Sequence, residues 1–444
     1  MKKRIINYKQ DSKMRKYYQA TLVVVAVVSL ISLLFYRHEY NRLRYVLEVF
    51  NYFGSPNQKA ISTNCINNNV SFIEHNIKLD EPSSSWQRLN DDLYVYSAYN
   101  LGNNKVHAIS FSKRSAVSNL QCIIYFEHET KPFVGNYKYI VINSTPYFEN
   151  EGEKAEYNGY YLICAYKENK LPVGVSFLTE FDKDSTNVPI FSVATQPRYL
   201  NGNSITVCII PPLLKPMHEI DMITFISFHE LIGVNNFIAY DFGIVNTLNN
   251  RFKELSAIYI PQSNFTYTTV PWNFPFSRLD TNIMKDIIEA DCLHRTYNKM
   301  MYISILSWQE YIALNYHRSL VDLLADYSAS KLLADRYKLN ILTFCTKELD
   351  NNPSANFTLI MYRKLQFDTD VTGHYPIFIS KPHEVLSKNN VYTQKMAKDL
   401  ILVHNYKICS DVKKIQKVNV FNTSIPRFSK DIRNSPIFTR LISH

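Results

Sequence analysis

Between Asp91 and Leu178 the chain repeats one kind of segment six times: DLYVYSAYN, KVHAISF, LQCIIYF, YKYIVIN, YYLICAY and VGVSFL. Each is a short run of β-branched and aromatic residues, which fit a pleated surface, and turn residues separate them. That spacing predicts an antiparallel sheet.

Past Asn201, Gly202 and Asn203 the pattern changes. SITVCII reads as a buried strand. HEIDMITFISFHELIG carries Ile220, Ile223, Ile226 and Leu231 near one helical face and closes at Gly233, a C-cap residue. NNFIAYDF and SAIYIP read as strands, Ile283, Ile287 and Ala290 mark a helix, and Met301 to Leu306 is an apolar strand. Strands separated by helices suggest βαβ units and a largely parallel sheet. The expected fold class is therefore α/β, a largely parallel sheet behind an antiparallel β-rich region. At 444 residues the chain has room for both.

Tyr17 to Tyr36 contains no charged residue. At 1.5 Å per residue, twenty helical residues span about 30 Å, the thickness of a bilayer core. Lys2, Lys3, Arg4, Lys9, Lys13, Arg15 and Lys16 precede the run against Asp11, a net of +6 out of the chain's +10. The positive-inside rule puts that end in the cytoplasm, so a single-pass type II protein is expected, with the rest of the chain lumenal. The remaining +4 lies on more than 400 residues without a basic stripe, which excludes a nucleic-acid partner. The expected organisation is a cytoplasmic tail over 1–16, a membrane helix over 17–36, a stem over 37–85, a β-rich region over 86–202, the main domain over 203–412 and a basic tail over 413–444.

Five N-x-[ST] sequons, at Asn69, Asn143, Asn264, Asn356 and Asn422, fall on the lumenal side of that topology. So do all seven cysteines, Cys65, Cys122, Cys164, Cys208, Cys292, Cys345 and Cys409, in a compartment where disulfides persist. None has zinc spacing, so they are read as structural, with at least one left over from pairing inside the chain.

Several chemistries find no support. With ten glycines there is no GxGxxG or GxxxxGK[ST] loop, and no G-x-S-x-G elbow. His229-Glu230-Leu231-Ile232 opens like a zinc-protease helix, but Gly233 stands where the second histidine belongs. Asp368-Thr369-Asp370 is a literal Asp-x-Asp in a loop-like stretch, a weak substitute metal site. Carboxylates just past a strand end are the arrangement that holds Mg²⁺ or Mn²⁺ against a diphosphate, because the strand fixes their direction. Glu310 lies just past the end of the Met301 to Leu306 strand, where open α/β sheets bind ligands.

An ordered set of short motifs runs through residues 91 to 410. It comprises Ser97-Ala98-Tyr99, Cys208 with Pro211 and Leu213, Leu231-Ile232-Gly233-Val234, Pro271-Trp272 with Pro275, Asp291-Cys292-Leu293-His294-Arg295, Glu310-Tyr311-Ile312 and His404-Asn405-Tyr406-Lys407. In this order the set resembles glycosyltransferase family 92, inverting enzymes of the secretory pathway. The resemblance implies a GT-A-like, Rossmann-type nucleotide-sugar-binding domain in the Golgi membrane, transferring a hexose, galactose above all, from a UDP-sugar to a glycan on glycoprotein or glycolipid. It implies Trp272, Asp291 and Arg295 as substrate contacts, and Glu310 and His404 as ligands of Mn²⁺ or another divalent cation. The family's Asp-x-Asp positions are Ser307 and Gln309 here, which removes charge from the cation site. The alternative is therefore a membrane-anchored family member without catalysis, binding glycan or protein. The sequence names no general base.

Overall fold

The computed structural model divides the chain into two compact units, Met1–Asn69 and Val70–His444. In the first it describes only Val28, Ser29 and Ser32, which are helical. In the second it describes residues 85–127, 129, 131–142, 147–148, 156–179, 189–195, 201–212, 219–241, 246–259, 265–274, 281–330, 332–346, 365–368, 375–408, 415–416 and 424–442.

The first half is a barrel. Its strands are β1 (Gln87–Asn90), β2 (Leu93–Asn100), β3 (Lys105–Lys113), β4 (Gln121–Phe126), β5 (Phe133–Val141), β6 (Tyr147–Phe148), β7 (Glu156–Ala165), β8 (Pro172–Leu178) and β9 (Phe191–Thr195), with a short helix α1 (Arg114–Ser118) after β3. The order β2-β3-β7-β5-β4-β8-β9 returns to β2, closing a ring of seven strands. An odd ring cannot be antiparallel throughout, and the necessary parallel pair is β2 with β9. Closure leaves no edge exposed along those strands. The interior is filled by Val95, Ala98, Val106, Ala108, Leu162, Val175, Phe177 and their neighbours, so the barrel is a packed core.

A bulge in β2 gives the barrel its outward contacts. Val95 pairs with Ser110 and Ser97 with Ile109, leaving Tyr96 as the extra residue. Strict alternation would turn Ser97 inward with Val95. With one residue inserted, Val95 and Ala98 pack in the barrel while Tyr96, Ser97 and Tyr99 reach the other half of the molecule.

That half is an eleven-stranded mixed sheet: β10 (Asn201–Ile209), β11 (Asn236–Asp241), β12 (Thr266–Pro271), β13 (Met300–Leu306), β14 (Glu310–Leu314), β15 (Arg336–Thr346), β16 (Leu365–Asp368), β17 (Ile377–Ser380), β18 (Thr393–Lys395), β19 (Ile401–Ile408) and β20 (Ile415–Gln416). Its helices are α2 (Glu219–Leu231), α3 (Asn246–Tyr259), α4 (Thr281–Thr296), α5 (Leu320–Ala329), α6 (Pro382–Ser387), α7 (Ser429–Asn434) and α8 (Pro436–Ile442). Strands β12-β11-β10-β13 are parallel in that order, and β17 runs against β13. Helices α2, α3, α5, α7 and α8 pack into the core on one face. The other face carries α4, whose Ile283, Ile287, Ile288 and Leu293 share a second core with Tyr96, Tyr99, Ile109 and Phe111 of the barrel.

The expected fold class is corrected. In place of an α/β, GT-A-like Rossmann-type domain behind an open antiparallel region, the chain is mostly β, with a closed barrel and a sheet in which only four strands form the parallel run. The βαβ pattern was legible over β10, β11 and β13 but not β12, which was not read as a strand, while after Leu306 antiparallel pairs such as β14–β19 and β15–β17 stand beside the parallel β15–β18 and β15–β19 and make the sheet a mixed one. SAIYIP, expected as a strand, is mostly the end of α3, where Leu248, Phe252 and Leu255 supply a helical apolar stripe. The final segment, expected as an irregular tail, forms α7 and α8 over residues 429–442 and buries Ile432, Ile437, Phe438 and Leu441. Among the described residues no helix is long and apolar enough to cross a membrane, and the run Tyr17 to Tyr36 lies outside them apart from the three named above. The asparagines of all five sequons, and Cys65 and Cys409, also lie outside them.

Two disulfides tie these parts. Cys122 of β4 and Cys164 of β7 bridge inside the barrel, packed against Gly135 of β5. Cys208 of β10 and Cys292 of α4, with Cα atoms 6.4 Å apart, fasten the helix to the parallel strands. Such crosslinks typically contribute about 2–4 kcal/mol.

Candidate functional site at the carboxyl rim of the parallel strands

Four strands end together: β10 at Ile209, β11 at Asp241, β12 at Pro271 and β13 at Leu306. The rim beyond them carries Asp241, Trp272, Asn273 and the turn Ser307 to Glu310, closed by Glu310 N–H donating to Ser307 O at 3.0 Å. Helix α4 starts at the same end, bringing Lys285 and Asp286 to the rim, and Tyr375 stands just before β17.

Helix α4 is the unusual element. Wedged between barrel and sheet, it is buried nearly all round, yet its sequence TNIMKDIIEADCLHRT includes Lys285, Asp286, Glu289, Asp291, His294 and Arg295. Buried charges must be paired or hydrogen-bonded. Lys285 Nζ donates to Glu310 Oε1 at 2.7 Å, with both side chains about 5% exposed. Arg336 pairs with Glu289 and also donates to Ser380 Oγ at 3.3 Å. The Tyr375 hydroxyl lies 2.6 Å from Asp286 Oδ1 and 2.9 Å from Glu289 Oε2.

Asp291 has the most partners. Ser97 Oγ and Tyr99 OH donate to its Oδ1 at 2.6 and 2.5 Å, and Tyr240 OH and Arg295 Nε donate to its Oδ2 at 2.6 and 3.0 Å. Burial pushes this carboxyl up, but Arg295 and the three hydroxyls outweigh it and hold the group below the usual carboxylate range. Burial and the neighbouring anion raise Tyr99 and Tyr240, so both stay protonated donors. The knot joins β2, β11 and α4. His294 adds to it: Nδ1–H donates to Ala290 O at 2.7 Å, leaving Nε2 to accept from His107 Nδ1–H of β3 at 3.3 Å. Burial lowers these imidazoles to about 4 and about 3, so both are neutral.

The structure thus brings the expected site residues close but gives them different surroundings. Asp291 is fully buried in its knot. Arg295 spends its guanidinium on Asp291, with 15% of its side chain exposed. Trp272 is fully buried, its ring 5.0 Å from Tyr96, 5.5 Å from Trp86, 5.6 Å from Tyr240 and 5.8 Å from Phe274, and it presents no open face to a ligand. These three hold the barrel to the sheet.

The expected cation ligands do not converge. In the antiparallel pair β14–β19, Glu310 sits opposite Asn405 and Tyr311 opposite His404. Successive side chains point to opposite faces, so Glu310 and His404 are on different sides of the sheet. His404 lies among apolar neighbours, 3.2 Å from Tyr406 OH and with its ring 4.8 Å from Phe344, and burial lowers it to about 3. Both oxygens of Glu310 have donors, Lys285 Nζ on Oε1 and Ser307 N–H on Oε2 at 2.7 Å. Ser307 and Gln309 add no charge, and among the described residues no three His, Cys, Asp or Glu are grouped to hold a metal ion. The residues at this rim do not fit the divalent cation that the resemblance implies. Asp368 closes β16, while Thr369 and Asp370 lie outside the described residues. His229 serves structure: its Nδ1–H donates to Phe225 O at 2.8 Å and its Nε2 accepts from Ile312 N–H at 3.3 Å, pinning α2 to β14.

Lys285, Asp286, Glu289, Arg336 and Tyr375 were not singled out from the sequence. For the three on α4 one signal was present: a helix with apolar residues all round its surface and five charged residues between them.

No protein-family model matches the chain, and no curated protein matches it. Two solved structures that resemble it are both of UDP-glucose pyrophosphorylase. One, complexed with UDP-glucose, is 9% identical, with a TM-score of 0.22 and 46% of this chain covering 91% of that one. The other, the apo form, is 11% identical, with a TM-score of 0.20 and the same coverage. Likeness at this level carries no inference about fold or activity.

Proposed function

We propose that the chain handles a nucleotide sugar at the carboxyl rim of β10 to β13, without a divalent cation at Ser307 to Glu310, and transfers its hexose to a glycan acceptor. The supporting observation is spatial. The segments around Ser97, Cys208, Trp272, Asp291 and Glu310, five of those that give the sequence its likeness to family 92, lie near the carboxyl ends of the parallel strands, tied by the Cys208–Cys292 bridge, the Ser97–Asp291 and Tyr99–Asp291 hydrogen bonds and the Glu310 turn, whereas Leu231 to Val234 precede β11 at the opposite end and His404 faces the other side. A UDP-hexose donor, a glycan on glycoprotein or glycolipid as acceptor, inversion at the sugar carbon, and a Golgi membrane location through the N-terminal segment complete the proposal.

A second reading, a binding protein without catalysis, is favoured by the Lys285–Glu310 pair, which occupies the carboxylate nearest the missing aspartates. A panel of UDP- and GDP-sugars, assayed with Mn²⁺ and with EDTA, separates the two. Turnover of one donor at similar rates in both conditions is the expected result. Binding without turnover supports the second reading, and neither binding nor turnover by the folded chain sinks both.

A further inference from the structure

The outer face of the barrel carries a basic patch whose hydrogen-bonding sense is fixed from inside. Cross-strand pairing sets Lys105, Ala165 and Asn136 in one row over β3, β7 and β5, and His107, Ile163 and Lys138 in the next. The alternate residues Val106, Leu162 and Cys164 fill the barrel, so both rows face outward. Strands about 4.8 Å apart and a two-residue step of about 6.7 Å frame a patch of roughly 7 by 10 Å, room for one sugar unit. Lys105, Asn136 and Lys138 are exposed and His107 is half-buried. Among the described residues neither ammonium has an ion pair, and the charges that act on His107 are those of His294, Lys105 and Lys138, with no carboxylate among them.

The hydrogen-bond chain from α4 ends on this patch. A carbonyl only accepts, so His294 Nδ1 carries the proton given to Ala290 O at 2.7 Å, and His294 Nε2 must accept from His107 Nδ1–H at 3.3 Å. His107 is left with a lone pair on Nε2. Burial first, then His294, Lys105 and Lys138, lower His107 to about 3, so the ring stays neutral and the lone pair stays available. The groups around the two imidazoles are Tyr99 on β2, Lys105 on β3, Lys138 on β5, Tyr161 on β7 and Asp291 on α4.

Two cations beside one fixed acceptor suit an anion that brings its own hydroxyl. Acetate lacks the donor and a neutral sugar lacks the charge. Asn136 offers both a donor and an acceptor. Between the polar groups lie the methyl group of half-buried Ala165 and the buried Ile163, an apolar floor that suits the C–H face of a sugar ring better than the oxygens of a phosphate. We propose that Lys105, His107, Asn136 and Lys138 bind an acidic sugar, a uronic acid unit whose carboxylate lies between the two lysines and whose ring hydroxyl donates to His107 Nε2. The proposal does not rest on the nucleotide-sugar reading: His294 and Lys285 are about 14 Å apart along α4 at 1.5 Å per residue, and no nucleotide is involved.

The test is a titration of sodium glucuronate into the full chain, followed by saturation-transfer NMR, with glucose, acetate and hydrogen phosphate as separate arms. Glucuronate is expected to give a saturable signal and to bind at least about fivefold tighter than each of the others. Lys105→Met and Lys138→Met, at exposed positions, are each expected to weaken glucuronate up to about fivefold, and the double variant to abolish the saturable signal. Because His107 accepts as a neutral ring, the affinity is expected to stay level from about pH 8 to about pH 5.5, whereas a histidine that donated to the carboxylate would tighten binding as pH falls through about 6.5. Absence of a saturable glucuronate signal, acetate, glucose or hydrogen phosphate binding as tightly, unchanged affinity in the double variant, or affinity that rises on acidification each overturns the proposal.

Discussion

Asp291→Asn separates a structural knot from a ligand contact. The carboxylate accepts from three hydroxyls and from Arg295, and is fully buried. The amide keeps one acceptor oxygen and puts an NH₂ group where a donor already points, so at least one hydroxyl or the guanidinium loses its partner. A hydrogen bond to a charged group contributes roughly 1.5–3 kcal/mol, and breaking a buried ion pair by removing one partner costs about 3–5 kcal/mol because the other charge stays buried. The expected loss is therefore about 3–5 kcal/mol in urea unfolding, with UDP affinity unchanged in the fraction that remains folded. Stability within about 1 kcal/mol of wild type, combined with lost UDP binding, would refute the reasoning and make Asp291 a ligand contact.

Acid should destabilise the chain through its buried histidines. His229, His294 and His404 are held at about 3, 4 and 3 by burial, against about 6.5 when unfolded. The unfolded state binds more protons between these values, so their contribution is fully present above about pH 6.5 and is lost as pH falls below it, by up to roughly 1.4 kcal/mol per pH unit for each; a flat unfolding midpoint from pH 7 to 5 contradicts this. Gly135→Ala places a Cβ into Cys164 Sγ, with Ala165 O and Cys122 Sγ at 3.0 Å, and is expected to cost about 1–3 kcal/mol by thermal unfolding. Lys285→Met leaves Glu310 buried without its ammonium and is expected to cost about 3–5 kcal/mol, much of it recovered by adding Glu310→Gln; a double-variant loss equal to the sum of the two single-variant losses would mean that the pair is not coupled.

The local elements were largely readable. All six aromatic and β-branched runs are strands, and Gly233, at φ +99°, ends α2 through its N–H to Glu230 O. Closure of the barrel was not readable, because it depends on the parallel β2–β9 pair, whose partners lie nearly a hundred residues apart, and β9 was not among the runs identified. At the site the motifs located the right neighbourhood but not the roles. Asp291 and Trp272 are set apart in sequence by company rather than by burial, and only the bulge at Tyr96 shows that Ser97 and Tyr99 reach Asp291. Glu310 and His404 suggested one cation site as isolated residues. The register of β14 on β19 puts them on opposite faces, and register is not written in either segment alone.

The most direct test of the account is a calorimetric titration of UDP-galactose into the chain, once in EDTA and once in Mn²⁺. The account predicts binding with the same affinity in both, since Lys285 already occupies Glu310 and, among the described residues, no carboxylate set is grouped for the ion. Binding that appears only with Mn²⁺ would contradict a cation-free rim, and no binding in either buffer would contradict the nucleotide-sugar reading itself.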